Sequence, residues 1–266
     1  MENQQLHDRT LYGFWLSPYM SIVAHVLKES GLDFNYQRVS PFVGATLGDS
    51  HRARNSLGKI PSLEESSGLV ISESQAICRY LSRTYESAQH LYPCHDPIRC
   101  AEVDRVNDFL TFSISGPFFY WFVVGGYWPQ AWGAKTKKES DIFSSWSMVM
   151  IKSGLARLTE GSQMSPFLLG AEPLLPDFHL FHILELGKTF SKIFELPFLN
   201  VLEGDVVLQR FYDAMLLRPS TVAILEEQAG EHDATRREIF EEFGDAYADI
   251  LKPAKAGLSM LFGHEV

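Results

Sequence analysis

A chain of 266 residues with 33 acidic and 23 basic side chains carries a formal charge of -10, the opposite of the basic excess that follows a phosphate backbone or an anionic membrane surface. Its composition, 45% hydrophobic and 21% charged, is that of an ordinary globular protein long enough to bury a core without disulfides. The three cysteines, Cys78, Cys94 and Cys100, have no Cys-x-x-Cys spacing and read as reduced thiols of a cytoplasmic protein; the polar stretch Met1 to Thr10 lacks the apolar core of a secretory signal.

Leu11 to Trp15 is a short apolar and aromatic run, read as a buried strand. Ser17-Pro18 follows as a helix start, serine at the cap and proline at the first helical position. Ile22, Val23, Val26 and Leu27 form a helical stripe that Gly31 ends. Phe34, Tyr36 and Arg38 alternate with polar residues as a second strand, and Ser40 to Arg54, with Pro41, Gly44 and Gly48, reads as loop. Two short strands are expected at Ile60 to Leu63 and Leu69 to Ile71. A helix carrying Ile77, Tyr80, Leu81 and Tyr85 comes next, opened by a capping-box spacing at Ser72 and Gln75.

Residues 10–86 thus read as a small α/β domain after an N-terminal tail, 1–9. Pro93 and Pro97 mark a linker over 87–98, where His90, Cys94, His95 and Cys100 match no standard zinc spacing. From there the pattern is helical: Val103 to Leu110, Phe143 to Leu158, Phe178 to Leu184, Val206 to Met215 and Thr221 to Glu227. Residues 99–227 form an all-helical domain and 228–266 an extension with an acidic helix from Arg236 to Leu251. Phe109 to Ala134 has no charged residue, but Gly116-Pro117, Gly125-Gly126 and Pro129 break it. It reads as a buried helix followed by an aromatic loop, not as a membrane span.

Three short segments carry chemistry only together. Ser17 stands beside the free N–H groups of a first helical turn, where partial positive charge stabilises an anion and lowers a thiol pKa; read alone, it is a helix cap. Gly58-Lys59-Ile60-Pro61 precedes a strand, with Pro61 suited to a cis bond and the Ile60 backbone free to pair with an extended peptide; read alone, it is a turn. Glu73-Ser74 heads a helix, where Ser74 suits a carboxylate and Glu73 an ammonium; read alone, it is an acidic first turn. In this order the segments suit a short peptide with a central thiol, terminal carboxylates and one ammonium, which is the layout of glutathione.

Leu11-Tyr12-Gly13-Phe14-Trp15-Leu16-Ser17-Pro18-Tyr19, Asn55 to Leu63 and Ile71 to Ile77 resemble three segments of the serine-type cytosolic glutathione transferases, above all the plant tau class and similar bacterial and fungal members. The resemblance runs from about Thr10 to Ser220. It implies a thioredoxin-like α/β domain followed by an all-α domain, a homodimer, and glutathione as cosubstrate. Ser17 would stabilise the thiolate, Ile60 would pair with the cysteinyl backbone ahead of cis Pro61, Lys59 would lie near the glycine carboxylate, and Glu73 and Ser74 would hold the γ-glutamyl end. Phe14 stands where tyrosine-type members carry their catalytic tyrosine, and Ser17 where cysteine-type members carry cysteine.

The same resemblance assigns the wall of an apolar electrophile pocket to Trp15, Tyr19, Phe112, Phe119 and Tyr120. The implied activity is thiol transfer to an apolar, aromatic electrophile. Ether cleavage, dehalogenation or isomerisation on the same fold, and a non-enzymatic binding module, are the alternatives. No metal, nucleic acid or membrane partner is expected. The chain departs from the family pattern at Ser56, at Ser21 and His25 in the first helix, and at Leu174, where a capping hydroxyl is expected three residues before Asp177.

Overall fold

The computed structural model describes residues 9–120, 137–160, 164–193, 200–238 and 241. Strand β1, Arg9–Gly13, leads into helix α1, Pro18–Glu29, and the chain returns as β2, Asn35–Arg38, parallel to β1. Strands β3, Ser62–Glu65, and β4, Val70–Ser72, complete an antiparallel hairpin, giving the sheet order β2-β1-β3-β4. The segment read as loop before β3 is partly ordered: a 3₁₀ turn spans Ala45–Leu47 and a short helix α2 spans Asp49–Arg52. Helix α3, Ser74–Thr84, closes the unit, which is the thioredoxin-like domain expected from the sequence.

The remainder of the described chain is mostly helical. A 3₁₀ stretch, Glu86–Leu91, crosses the expected linker, and helix α4, Pro97–Leu110, opens on Asp96, whose carboxylate accepts from the Ile98 and Arg99 N–H groups. Asp-Pro at a helix start combines a true cap with a proline whose missing donor costs nothing there. The helix passes through a π-turn, Thr111–Ser115, into α5, Gly116–Tyr120. Helices α6, Lys137–Thr159, α7, Leu175–Ile193, α8, Val206–Leu216, α9, Pro219–Gly230, and α10, His232–Arg237, complete it. No helix among the described residues is long and apolar enough to cross a membrane. Of the uncharged run from Phe109, residues 121–134 lie outside the described residues, as do most of the acidic helix expected from Arg236 and the apolar end at 258–262.

Helix α1 is the centre of the molecule. Met20 to Leu27 are eight consecutive buried residues, because α1 packs on α3 within its own domain and on α7 and α9 of the helical domain. A helix enclosed this way cannot keep a polar face for solvent, so its polar side chains must find protein partners. Ser21 donates to the Trp15 carbonyl at 3.0 Å. His25 meets His182 and the hydroxyls of Ser220 and Thr221. Glu29 accepts from Arg218 and Ser220. Of the two residues that set α1 apart in sequence, His25 meets the helical domain directly and Ser21 meets it through Gln228 of α9.

Two capping expectations come out differently. The capping box at Ser72 and Gln75 does not form: Glu73 is the cap residue of α3, with no side-chain capping bond, and Gln75 is drawn away to His179 Nδ1 at 3.2 Å. At α7 the cap hydroxyl is absent, yet the Asp177 carboxylate accepts from Leu174 N–H and from Leu168 N–H, each at 2.8 Å. Half of the box thus remains and a second segment is tied to it. His179 and His182 belong to the core, both at most 2% exposed.

Candidate active site

The sheet register brings the three sequence segments to one place. Tyr12 on β1 pairs with Ser62 on β3, and Ser62 pairs with Ser72 on β4. The turn to Ser17 leaves the sheet just after Tyr12, Ile60-Pro61 enters just before Ser62, and Glu73-Ser74 leaves just after Ser72. Neighbouring strands lie about 4.8 Å apart, so the row spans roughly 10 Å, the reach of about three extended residues.

Ser17 is the cap residue of α1, in extended conformation with φ -75° and ψ 117°, and its side chain makes no capping hydrogen bond. Its backbone holds the turn: Ser17 N–H donates to Phe14 O at 2.8 Å and Ser21 N–H donates to Ser17 O at 3.0 Å. The residue is half-buried beside the first turn of a helix, a place whose partial positive charge suits an anion. Phe14 is buried and packs edge-on to Phe42, with ring centroids 5.4 Å apart.

The Ile60–Pro61 peptide bond is cis, as its sequence context anticipates. Lys59 is exposed, and its carbonyl accepts from His51 Nε2 at 2.8 Å and from Asn55 Nδ2 at 2.9 Å. His51, from the unforeseen helix α2, is a supporting residue that the sequence did not disclose. Gly58 lets this loop close: its φ is +62°, and a Cβ there would stand 3.0 Å from the Thr46 carbonyl oxygen. Glu73 is the only described non-glycine residue with positive φ, 69°. Such a conformation costs on the order of 1–3 kcal/mol and persists where the surroundings enforce it. Ser74 is buried at the first turn of α3.

The aromatic residues divide. Tyr19 is half-buried and donates to the Ser115 carbonyl at 3.4 Å, which joins α1 to the π-turn. Burial pushes the Tyr19 phenol up, with additions from nearby Tyr120 and Glu73. Phe112, on the π-turn, is 76% exposed, and Phe119 and Tyr120 on α5 are exposed and in mutual contact, with centroids 6.1 Å apart. Trp15 is separate from them. It is buried in the core with its ring 5.3 Å from that of Tyr36 on β2, so it presents no open wall. Gly154 of α6 lets the π-turn pack closely, since a Cβ there would lie 2.9 Å from the Ser113 carbonyl oxygen.

Behind the site runs a buried polar chain. Gln75, next to Ser74, reaches His179 Nδ1, and His179 Nε2 reaches the Ser115 hydroxyl at 3.1 Å. Burial lowers His179 to about 4 and His182 to about 3, and burial together with His182 and Arg218 holds His25 well below the ordinary imidazole range. All three are neutral at pH 7, and serve as hydrogen-bonding struts instead of charges.

Residues 11–89 match the family described as glutathione S-transferase, N-terminal domain. Over 77 residues the chain is 43% identical to Glutathione S-transferase 3 of Zea mays, covering 29% of this chain and 34% of that protein. The matched stretch therefore spans about a third of the length of that curated relative. In fold the likeness is broader. A glutathione transferase from Phanerochaete chrysosporium, solved in complex with oxidized glutathione, superposes with a TM-score of 0.67 at 20% identity, covering 84% of this chain and 97% of that one. A glutathione transferase from Populus trichocarpa gives 0.67 at 18% identity, covering 84% and 99%. Residues 11–89 thus match a glutathione S-transferase N-terminal domain, and the described chain as a whole has the glutathione transferase fold.

Proposed function

We propose that this protein is a serine-type glutathione transferase in which Ser17 stabilises the thiolate of glutathione for attack on an apolar, aromatic electrophile. The observation that carries this reading is the single register row of Tyr12, Ser62 and Ser72, which gathers a helix N-terminus, a strand edge and a second helix N-terminus. The residues present fit the tripeptide. The Ser17 hydroxyl is not used as a cap, the Ile60 backbone precedes β3 at its open end, Lys59 is exposed and cationic, and Glu73 and Ser74 head α3.

When bound, glutathione supplies the nucleophilic sulfur. The protein supplies orientation, the partial positive charge of the α1 N-terminus and one hydroxyl hydrogen bond, all of which favour thiolate over thiol. Tyr19, Phe112, Phe119 and Tyr120 offer a flat apolar surface to the second substrate. The division into residues 10–86 and 99–227 follows the two activities, thiol activation and electrophile binding. A homodimer and a cytoplasmic setting complete this reading.

The test is retention on immobilised glutathione together with turnover of Ser17→Ala. Retained wild-type protein and a variant that binds but turns over ten- to a hundredfold more slowly, the worth of about one hydrogen bond to a charged group, would support it. A folded wild-type protein that passes through the glutathione column would sink it. Ether cleavage and dehalogenation begin from the same thiolate, so product analysis separates them from conjugation. Retention without turnover on any electrophile would favour a binding module.

A further inference from the structure

The turn from Phe14 to Ser17 is held from the side by contacts that all lead to residues 228–238. The Trp15 carbonyl accepts from Gln228 Nε2 at 3.4 Å and from Ser21, whose hydroxyl oxygen itself accepts from Gln228 at 2.9 Å. The Trp15 ring rests against Tyr36, whose hydroxyl donates to Glu231 at 3.2 Å. The Phe14 ring lies under the Arg38 guanidinium, 4.9 Å from its centroid. Arg38 in turn donates through Nε to Glu231 at 3.1 Å and through both terminal nitrogens to Glu238 at 2.8 and 3.0 Å. Ser40 donates to the same Glu238 carboxylate at 2.6 Å and accepts from Phe42 N–H, and Phe42 packs on Phe14.

These are not loose surface pairs. The side chains of Arg38, Glu231 and Glu238 are only 25%, 19% and 13% exposed. A planar guanidinium that meets one carboxylate with both ends of its fork and a second with Nε has a fixed orientation, so the ring beneath it does too. Phe14 transmits that orientation directly, because its carbonyl accepts the Ser17 N–H. A displacement of about 1 Å in a positioned group can change rate a hundredfold, and the helix-terminal field falls off within one turn.

We propose that Arg38 is a positioning residue for Ser17, held in place by Glu231 and Glu238, so that residues 228–238 brace the turn on which the thiolate forms. This rests on the serine-type reading of the site. The brace acts on the orientation of Ser17 and not on the residues that hold the tripeptide, Lys59, Ile60, Glu73 and Ser74.

The experiment compares full-length Arg38→Met, Arg38→Lys and the double variant Glu231→Gln with Glu238→Gln against wild type. Arg99→Met, which breaks the remote Arg99–Glu102 pair, serves as control. Three quantities are read: glutathione affinity, the pKa of the bound thiol by thiolate absorbance, and amide exchange at Leu16 and Ser17. The expected result is a thiol pKa raised by about one unit, a loss of thiolate that approaches tenfold at pH values below the pKa, with affinity within about twofold and faster exchange at the turn. Lysine keeps the charge but not the fork, so Arg38→Lys behaves like Arg38→Met.

Folded variants with wild-type thiol pKa and turn exchange overturn the proposal, as does an equal change in Arg99→Met. If Arg38→Met does not fold, the isosteric double glutamine variant decides. If wild type itself does not bind glutathione, the serine-type reading falls. Turn exchange still judges the brace: faster exchange at unchanged global stability upholds it, and unchanged exchange overturns it.

Discussion

His25 Nδ1 lies 3.0 Å from His182 Nε2 in the contact between α1 and α7. One ring must donate and the other accept, which leaves no room for two protonated rings in a core where both are at most 2% exposed. With His179 they form a set of three imidazoles whose folded values lie below the ordinary 6.5. A depressed value means that the unfolded chain binds more protons, so stability is fully present above about pH 6.5 and is lost as pH falls toward 4 and 3. Burial pushes the Asp177 carboxyl the other way, up to about 7, and its contribution declines as pH rises from about 4 to 7. Three groups against one give net acid lability. Denaturant unfolding between pH 7.5 and 5 is expected to show it, and His182→Gln to flatten the slope by about one proton, roughly 1.4 kcal/mol per pH unit.

Ser17→Ala is expected to fold as well as wild type. A capping hydroxyl replaced by alanine usually costs about 1 kcal/mol, but this hydroxyl caps nothing. The change in unfolding free energy should stay below about 0.5 kcal/mol, measured by urea titration. A full capping loss would show that the hydroxyl belongs to the helix and not to a ligand.

Glu73→Gly separates stability from binding. Glycine releases the strain of φ 69°, at a cost of up to about 1 kcal/mol in unfolded-chain entropy. A net stabilisation of about 1 kcal/mol is expected, together with weaker retention on glutathione because the carboxylate is gone. A variant that is destabilised, or that binds as well as wild type, contradicts the prediction.

Asp177→Ala removes the acceptor of two N–H groups, those of Leu168 and Leu174. Each unpaired buried donor costs about 1–3 kcal/mol, so a loss near 3 kcal/mol is expected. Asp177→Asn retains an acceptor oxygen and should lose less. A lower urea midpoint with unchanged slope would identify the effect as stability alone.

What could be read along the chain was what is local. Ser17-Pro18 announces a helix start because a proline at the first helical position acts on its own turn, although the Ser17 hydroxyl makes no capping bond. The alternation at Phe34 to Arg38 announces β2, and Ile60-Pro61 and Glu73-Ser74 announce the element boundaries they occupy. The Ser72 to Gln75 spacing misled because a distant ring, His179, competes for the Gln75 amide. The clamp on Arg38 was invisible for the same reason: its carboxylates lie 193 and 200 positions away, and no local pattern distinguishes an arginine with such partners from one facing water. The π-turn at Thr111–Ser115 likewise depends on the close approach of α6 at Gly154.

The tie between Trp15 and Gln228 spans 213 positions. During synthesis at about 5–20 residues per second, the turn bearing Ser17 emerges roughly ten to forty seconds before the residues that brace it. A nascent chain can complete its sheet early, yet the turn bearing Ser17 stays unbraced until α9 and α10 arrive. The order of translation thereby bears on the order of assembly, with the turn between β1 and α1 finished among the last.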